Sequence, residues 1–232
     1  MIRAAIPALS LLLIGGCTSE VDEAISLVDE SIRIKTDMEI KDVVSYPGSA
    51  VCGVYSAIIS YSRPMKENAP FIVLDGVLDR EPSARDWQVY CEEDQAAALY
   101  ELTGIGPFTR ESAELIQITR DLTLLSEALN AYQEDNHHFP SEATGLNALV
   151  EKPEDIKYGD NYRPGGYIQG VPQDPWGRPY AYSHIQWGRV KGSYEISTRG
   201  KSGEPGGQGV NADVTTKELP YLQHIARVLG VD

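Results

Sequence analysis

The chain has 232 residues, with 34 acidic and 20 basic side chains and a formal charge of −14. This length allows one large domain or two small ones. Binding to a phosphate backbone requires clustered Lys and Arg, so the acidic balance argues against a nucleic-acid-binding protein. Because no run of like charge stands out, the acidity indicates a solvated surface rather than a binding tail.

The N-terminal stretch reads "MIRAAIPALSLLLIGGCTSE", in which Arg3 precedes a short apolar segment and small residues lead to Cys17. Such a segment is too short to span a bilayer as a mature helix and is typical of a signal peptide. Its end, "LIGGC", resembles the lipobox of bacterial lipoproteins. The resemblance implies cleavage of residues 1–16 and lipidation of Cys17, which anchors the protein to a membrane without spanning it. The alternative is an ordinary signal peptide followed by an incidental cysteine.

Position 18 is Thr rather than Asp. In a Gram-negative host, the lipoprotein resemblance then implies sorting to the outer membrane, with the protein facing the periplasm. We therefore expect a lipid-anchored protein of the bacterial cell envelope.

The chain contains three cysteines. With Cys17 lipidated, Cys52 and Cys91 remain as an even pair in an oxidising compartment, and we predict a disulfide between them. On the chain-entropy model, a loop of this length gives about 3–4 kcal/mol of stabilisation. Two buried free thiols are the alternative.

Residues 17–104 show the pattern of a small α+β domain closed by this disulfide. The stretch "VDEAISLVDESIRIK" has apolar residues at helical spacing. The stretches "AVCGVYSAIISYS" and "PFIVLDGVLD" are rich in β-branched and aromatic residues and predict strands joined by turns. A further helix is predicted in "CEEDQAAALYELTG", ending at Gly104.

The junction "TGIGPFTRESAEL" resembles the hairpin of helix-hairpin-helix DNA-binding modules. Its flanks contradict that function, since Glu101, Glu111 and Glu114 surround the single Arg110. We interpret the segment as a linker and the start of a helix, with Thr109 as the predicted N-cap.

The next helix has one narrow apolar stripe, formed by Leu115, Ile118, Leu122, Leu125, Leu129 and Tyr132. The stripe lasts about two and a half heptads, which is short for a coiled coil and favours packing against a sheet. We expect the helix to end before "DNHHFP", where Asn136 and Pro140 break it.

Three blocks from this helix onward are the basis of a specific resemblance. They read "LNAYQEDNHHFPSEATGLNALVEKP", "GGYIQGVPQDPWGRPYAY" and "GKSGEPGGQGVNADV". In this order they resemble the C-terminal domain of the major pseudopilin of type II secretion, the G subunit. The resemblance implies an α+β head over residues 105–232, with a long helix on a small antiparallel sheet. Alternation in "GRPYAYSH" and "GSYEIST" favours strands independently, and "LPYLQHIARVLGVD" predicts a C-terminal helical extension.

The region before the long helix departs from that family. Pseudopilins carry a long apolar N-terminal helix there, which anchors the subunit and forms the filament core. The corresponding residues here, "CEEDQAAALYELTGIGPFTRESAE", are charged. We therefore expect a pseudopilin-like head fused into a lipoprotein that does not polymerise as a pseudopilin does.

The glycine-rich block also departs from the family, in which this loop binds calcium. The resemblance places Asp213 on a ligand position, but Ser202 stands where a second Asp is normal. Glu204 could substitute for it and Asn211 could lend an amide oxygen, whereas Lys201 could replace the metal by pairing with Asp213. Because calcium requires six to eight oxygens and favours anionic ligands, we expect weak or absent binding.

The segment "VPQDPWGRPYAYSH" is interpreted as a fold-stabilising corner rather than a binding site. A proline pins a turn, a glycine allows positive φ, a second proline starts a strand, and the Trp packs on the helix stripe. The structural residues of this corner are Asp174, Pro175, Trp176, Gly177, Pro179 and Tyr180.

We find no catalytic constellation and expect no enzyme, cofactor or small-molecule substrate. His137 and His138 are adjacent, so they cannot both face one metal in a regular element. The stretch "GKSGEPGGQG" lacks the spacing of a phosphate-binding loop. The sequence favours a structural or accessory component of type II secretion. Its expected partners are other components of that secretion system. The alternative is a general structural or interaction lipoprotein that reuses the head without a link to secretion.

Overall fold

The structure is a computed structural model that describes residues 17–62, 64–154, 161–187 and 191–232. The predicted signal peptide, residues 1–16, lies outside this part. The chain divides into two units, the first ending at Cys91 and the second spanning Glu92–Asp232. Within the described ranges, no helix combines the length and the apolar character needed to cross a membrane.

The first unit consists of one helix on a four-stranded antiparallel sheet, with a second short helix at its end. The elements are α1 (Cys17–Ser31), β1 (Glu39–Tyr46), β2 (Ala50–Ala57), β3 (Lys66–Leu74), β4 (Val77–Asp79) and α2 (Ala84–Tyr90). Each strand pairs with the next along the chain. This arrangement confirms the α+β prediction for the region.

The core of the first unit lies between α1 and one face of the sheet. Ala24, Val28 and Ile32 on α1 pack into a cluster that includes Tyr55 of β2 and Phe71 of β3. The four-residue spacing of these helix positions places them on one buried face of α1.

A disulfide between Cys52 and Cys91 joins β2 to the residue that follows α2, with their Cα atoms 5.9 Å apart. Side chains alternate along a strand, so Cys52 lies on the sheet face opposite to Val51, which packs in the α1 core. The bond therefore holds α2 against the second face of the sheet. The predicted pairing is confirmed.

In its described residues, the second unit contains three α-helices and a small antiparallel sheet, of which the long helix, the C-terminal helix and the sheet are as expected. Its elements are α3 (Gln95–Thr103), α4 (Ala113–Asn136), a 3-10 helix (Gly145–Leu149), β5 (Ala181–Trp187), β6 (Lys191–Thr198), β7 (Val214–Thr215) and α5 (Leu219–Leu229). The strands pair in the order β5-β6-β7. Gly104 ends α3 in the left-handed conformation, which glycine adopts without a steric penalty.

The boundary between the units differs from the predicted one after residue 104, because α3 belongs to the second unit. Gln95 on α3 and His224 on α5 are both buried and form a hydrogen bond of 3.0 Å between Oε1 and Nε2. The amide of Gly209 also donates to the carbonyl of Gly104 at 2.8 Å. Gly104 therefore ends a helix and not a domain.

The apolar stripe of α4 forms the core of the second unit. Ile118, Leu122, Leu125, Leu129 and Tyr132 are at most 1% exposed, as the packing prediction requires. Residue 115, the first of the stripe, is only half-buried.

The ends of α4 differ from the prediction in detail. The N-cap is Ser112 rather than Thr109, because residues 109–112 close a turn in which the Ser112 amide donates to the Thr109 carbonyl at 3.2 Å. At the other end, Asn136 belongs to the helix, and His137 ends it in a left-handed conformation. Asn136 is buried and donates to Tyr167 Oη at 2.8 Å, so tertiary contact keeps it helical.

Candidate functional site

A polar corner centred on Asp174 precedes β5. The carboxylate is buried, and its Oδ1 accepts the backbone amides of Trp176 at 3.0 Å and Arg178 at 2.8 Å. Its Oδ2 accepts the Thr198 hydroxyl at 2.7 Å and Arg178 Nε at 3.2 Å. One carboxylate thus holds the turn that follows it and fastens that turn to β6.

The hydrogen bonds at this corner keep Asp174 ionised. Burial by itself raises the pKa of the carboxyl, but the Arg178 amide, the Thr198 hydroxyl and the Trp176 amide favour the charged form. Together with the charge of Arg178, they lower the pKa below its usual value of 3.8. The carboxylate is therefore a structural anion.

The predicted corner residues have mixed outcomes in detail. Gly177 has φ of 79°, as the turn prediction expects. Pro179 does not start the strand; it forms an isolated bridge with Gln173, and β5 begins two residues later. A proline has no amide hydrogen to donate, so it cannot extend a regular ladder at that point.

Trp176 lies near the beginning of the α4 stripe but is only half-buried. It lines a cavity of about 90 Å³ together with Leu115 and Ile118. The Cζ atom of Arg178 lies 5.4 Å from the centre of its ring. The ring thus faces both the helix and the guanidinium, and the contact is partly a cation–π interaction rather than purely apolar.

Tyr180 makes the polar connection from the corner to α4. Its buried phenol donates to Asp121 Oδ2 at 2.8 Å. Burial raises the pKa of Tyr180, and the hydrogen bond to Asp121 adds to this effect. Burial also raises the pKa of Asp121, while hydrogen bonds from Tyr180 and Gln117 partly offset the increase.

The glycine-rich loop, residues 200–213, does not bring the four predicted ligands together. Ser202, Glu204 and Asn211 are exposed, and Ser202 Oγ accepts the Glu204 amide at 3.3 Å. Asp213 Oδ2 accepts the Gly206 amide at 3.0 Å, whereas its Oδ1 is buried without a hydrogen-bond partner.

These residues do not fit the calcium site that the family resemblance implies. Calcium requires six to eight oxygens, and only Asp213 offers an unpartnered interior carboxylate oxygen. In the part of the chain that the structure describes, no group of three or more His, Cys, Asp or Glu residues could hold a metal ion.

The Lys201 alternative is also not what the structure shows. The side chain is exposed, and its backbone amide donates to the carbonyl of Val210 at 2.7 Å. Among the described ion pairs, none joins Lys201 to Asp213. The cation that reaches this loop is Arg178, whose Nη2 donates to the carbonyl of Gly200.

Comparisons with known proteins identify the family of the region that contains α4, the Asp174 corner and the glycine-rich loop. The family model described as type II secretion system (T2SS), protein G, matches residues 109–217. The type II secretion system core protein G of Vibrio cholerae is 40% identical over 114 residues, which are 49% of this chain and 75% of that protein. The chain belongs to the type II secretion protein G family.

Other relatives agree with this membership. The core protein G of Pseudomonas aeruginosa is 35% identical over 104 residues, 45% of this chain and 71% of that protein. Among solved structures, the major pseudopilin from the type 2 secretion system of enterohaemorrhagic Escherichia coli is 35% identical. That match has a TM-score of 0.34 and covers 42% of this chain and 80% of that chain. The family model and the core protein G relatives confirm the pseudopilin resemblance for residues 109–217.

The family match covers α4, the Asp174 corner and the glycine-rich loop, but ends before α5. The first unit and α3 also lie outside it. Sequence reasoning missed three partners within the match, namely Arg178, Thr198 and Asp121. The signal for Arg178 was its place between Gly177 and Pro179, where a charged side chain follows a tight turn around a buried acid.

Proposed function

We propose that the protein is a non-enzymatic envelope lipoprotein whose second unit serves as a structural or accessory component of type II secretion. The observation that carries this proposal is the family membership of residues 109–217. The relatives that match this region are named as core protein G of that secretion system.

The chemistry of the Asp174 corner supports a structural role. A general acid or base needs a group that can exchange its proton with a substrate. The two oxygens of Asp174 instead accept four internal hydrogen bonds, and Asp121 accepts the phenol of Tyr180. These side chains hold the fold and leave no evident proton donor or acceptor for catalysis.

We further propose that acyl chains on Cys17 anchor the chain in the outer membrane, facing the periplasm. Support comes from the "LIGGC" stretch, in which small residues precede Cys17. Because Cys17 belongs to α1, an anchor on it would hold the first unit close to the membrane surface.

The anchoring proposal is tested by metabolic labelling with a radioactive fatty acid. The full chain should incorporate the label and fractionate with outer membranes, whereas Cys17→Ser should not incorporate it. Equal labelling of both forms, or no labelling of either, contradicts lipidation at this residue.

The secretion proposal is tested by deleting the gene and comparing the exoproteins in the culture medium with those retained in the periplasm. We expect the deletion to retain type II substrates in the periplasm and the full chain to restore their release. Unchanged release would contradict the proposal.

The second candidate is a general structural or interaction lipoprotein that reuses this head. It is favoured by the first unit, α3 and α5, all of which lie outside the family match. The two functions differ in the outcome of the deletion: envelope defects with normal release of type II substrates would favour the second candidate.

A further inference from the structure

We propose that the guanidinium of Arg178, and not a calcium ion, is the cation that closes the glycine-rich loop. The loop of this family member is then held by a charge that the chain itself supplies. The inference concerns metal dependence and does not rest on the proposed role in secretion.

The guanidinium of Arg178 lies between two separate parts of the chain. On one side, Nε and Nη2 of Arg178 lie 3.2 Å and 3.1 Å from Asp174 Oδ2. On the other side, Nη2 donates to the carbonyl of Gly200. Arg178 therefore connects the corner before β5 to the beginning of the glycine-rich loop after β6.

The contacts of the guanidinium are partly shielded from water. The side chain of Asp174 is 2% exposed and that of Arg178 is 34% exposed. Charge-assisted hydrogen bonds of guanidinium groups to buried acceptors are stronger than neutral ones. The ring of Trp176, 5.4 Å from Cζ, restricts the guanidinium further.

The glycine-rich loop passes close to the guanidinium. Gly203 has φ of +74°, and a Cβ atom at this position would overlap Nη1 of Arg178. Gly200 has φ of +56°, and a Cβ there would lie 2.7 Å from the Asn211 Cα. The loop backbone therefore passes directly against Arg178, whose guanidinium would have to move to make room for a side chain at position 203.

The loop is poor in the anionic ligands that calcium favours. The backbone oxygen of Gly200 is already engaged by Arg178, and position 202 carries a hydroxyl instead of the second carboxylate. The observation that a metal would explain is the buried, unpartnered Oδ1 of Asp213. The variants that test the inference therefore change Arg178, Ser202 and Asp213.

The experiment measures the melting temperature of the second unit in the purified full chain, in millimolar calcium and in excess chelator. We expect the wild-type transition to be the same in both conditions. Arg178→Ala should lower it by about 5 °C in both conditions, because a charge-assisted contact is lost. Arg199→Ala is the matched control, since this neighbouring arginine is exposed, and it should leave the transition unchanged.

A second variant restores the missing acid. Arg178→Ala combined with Ser202→Asp should make the transition rise with calcium, because one cation has been removed and one anionic ligand added. The inference is overturned if wild-type protein melts several degrees higher in calcium and Asp213→Asn abolishes that difference. It is also overturned if Arg178→Ala melts like the Arg199→Ala control.

Luminescence of bound terbium provides a readout on folded protein, in case a variant does not fold. Wild-type protein should show no saturable binding of terbium, an oxygen-seeking cation of similar size to calcium. Saturable binding that is lost in Asp213→Asn would contradict the inference.

Discussion

The two units of the chain are stabilised internally by different kinds of interaction. The first unit has a helix on a sheet and one covalent bond, Cys52–Cys91, that secures its last helix. Its ion pairs, such as Lys41–Glu39, lie on the exposed surface, where such pairs contribute little. The second unit has a buried helix stripe and a buried carboxylate, Asp174, with four hydrogen bonds.

This difference shows where each unit is sensitive to change. A disulfide stabilises mainly by restricting the unfolded chain, so the first unit should respond to redox conditions. A buried polar network depends on every partner being present, so the second unit should respond to single substitutions and to acid.

The largest effect should come from removing the disulfide. Cys52→Ala combined with Cys91→Ala should destabilise the first unit by about 4 kcal/mol, because the bond closes a long loop. Hydrogen exchange during urea unfolding can follow each unit separately, and protection in the second unit should not change. Equal loss of protection in both units would contradict the separate origin of their stability.

A substitution in the core of the second unit should destabilise that unit and leave the first unit unchanged. Leu125→Ala on α4 removes a side chain with 0% exposure and should destabilise the second unit by about 3 kcal/mol. Leu124→Ala is the matched control. The side chain of Leu124 is next to Leu125 in the sequence but is 43% exposed, so its removal should have a much smaller effect. Urea denaturation of the two variants measures the difference, and similar losses would contradict the assignment of the α4 stripe.

The Asp174 corner should respond next. Asp174→Asn puts an amide group where Arg178 and Thr198 donate, and should cost about 2 kcal/mol at neutral pH. The corresponding change at a much less buried carboxylate, Glu195→Gln in the ion pair with Lys217, should be close to neutral.

The pH dependence of the same corner has a definite sign. The folded pKa of Asp174 is lowered from 3.8, so its stabilisation is present above that value and is lost as the pH falls through the folded pKa. Asp174→Asn should remove this part of the acid-induced loss. An unchanged acid slope in urea titrations would count against the network.

The smallest expected effect is at Asp121, where the sign is opposite. Burial raises its pKa above 3.8, so its stabilising contribution is present below that value and is lost as pH rises through the folded pKa. Asp121→Asn should change stability at neutral pH by less than about 1 kcal/mol, since the amide oxygen can still accept from Tyr180. A loss of stability as large as that of Asp174→Asn would contradict the expectation that Asp121 contributes less to stability than Asp174.

Local sequence patterns predicted the helices and strands, but they did not predict contacts between residues that are distant in the sequence. The spacing of Ile118, Leu122 and Leu125 sufficed for α4, because a helix face follows from its period. Counting cysteines sufficed for the disulfide, once Cys17 was set aside.

The candidate site was only partly predictable for the same reason. The motif identified Asp174, but its contact with Thr198 and the contact of Arg178 with Gly200 depend on how β6 returns past the corner, which a sequence pattern does not encode. The N-cap at Ser112 was missed because a local turn competes with the helix start. Lys201 was considered because it lies in the loop in sequence, whereas the contact of Arg178 with the loop was not predicted.

The central claim is that the second unit engages the type II secretion machinery, and photo-crosslinking in living cells tests it most directly. A photoreactive amino acid would replace exposed residues of the second unit, Leu124, Ile185 and Val210, or of the first unit, Val77 and Tyr61. We predict crosslinks to secretion components from positions of the second unit and none to them from the first. Crosslinked products that contain no secretion component at any second-unit position would contradict the claim.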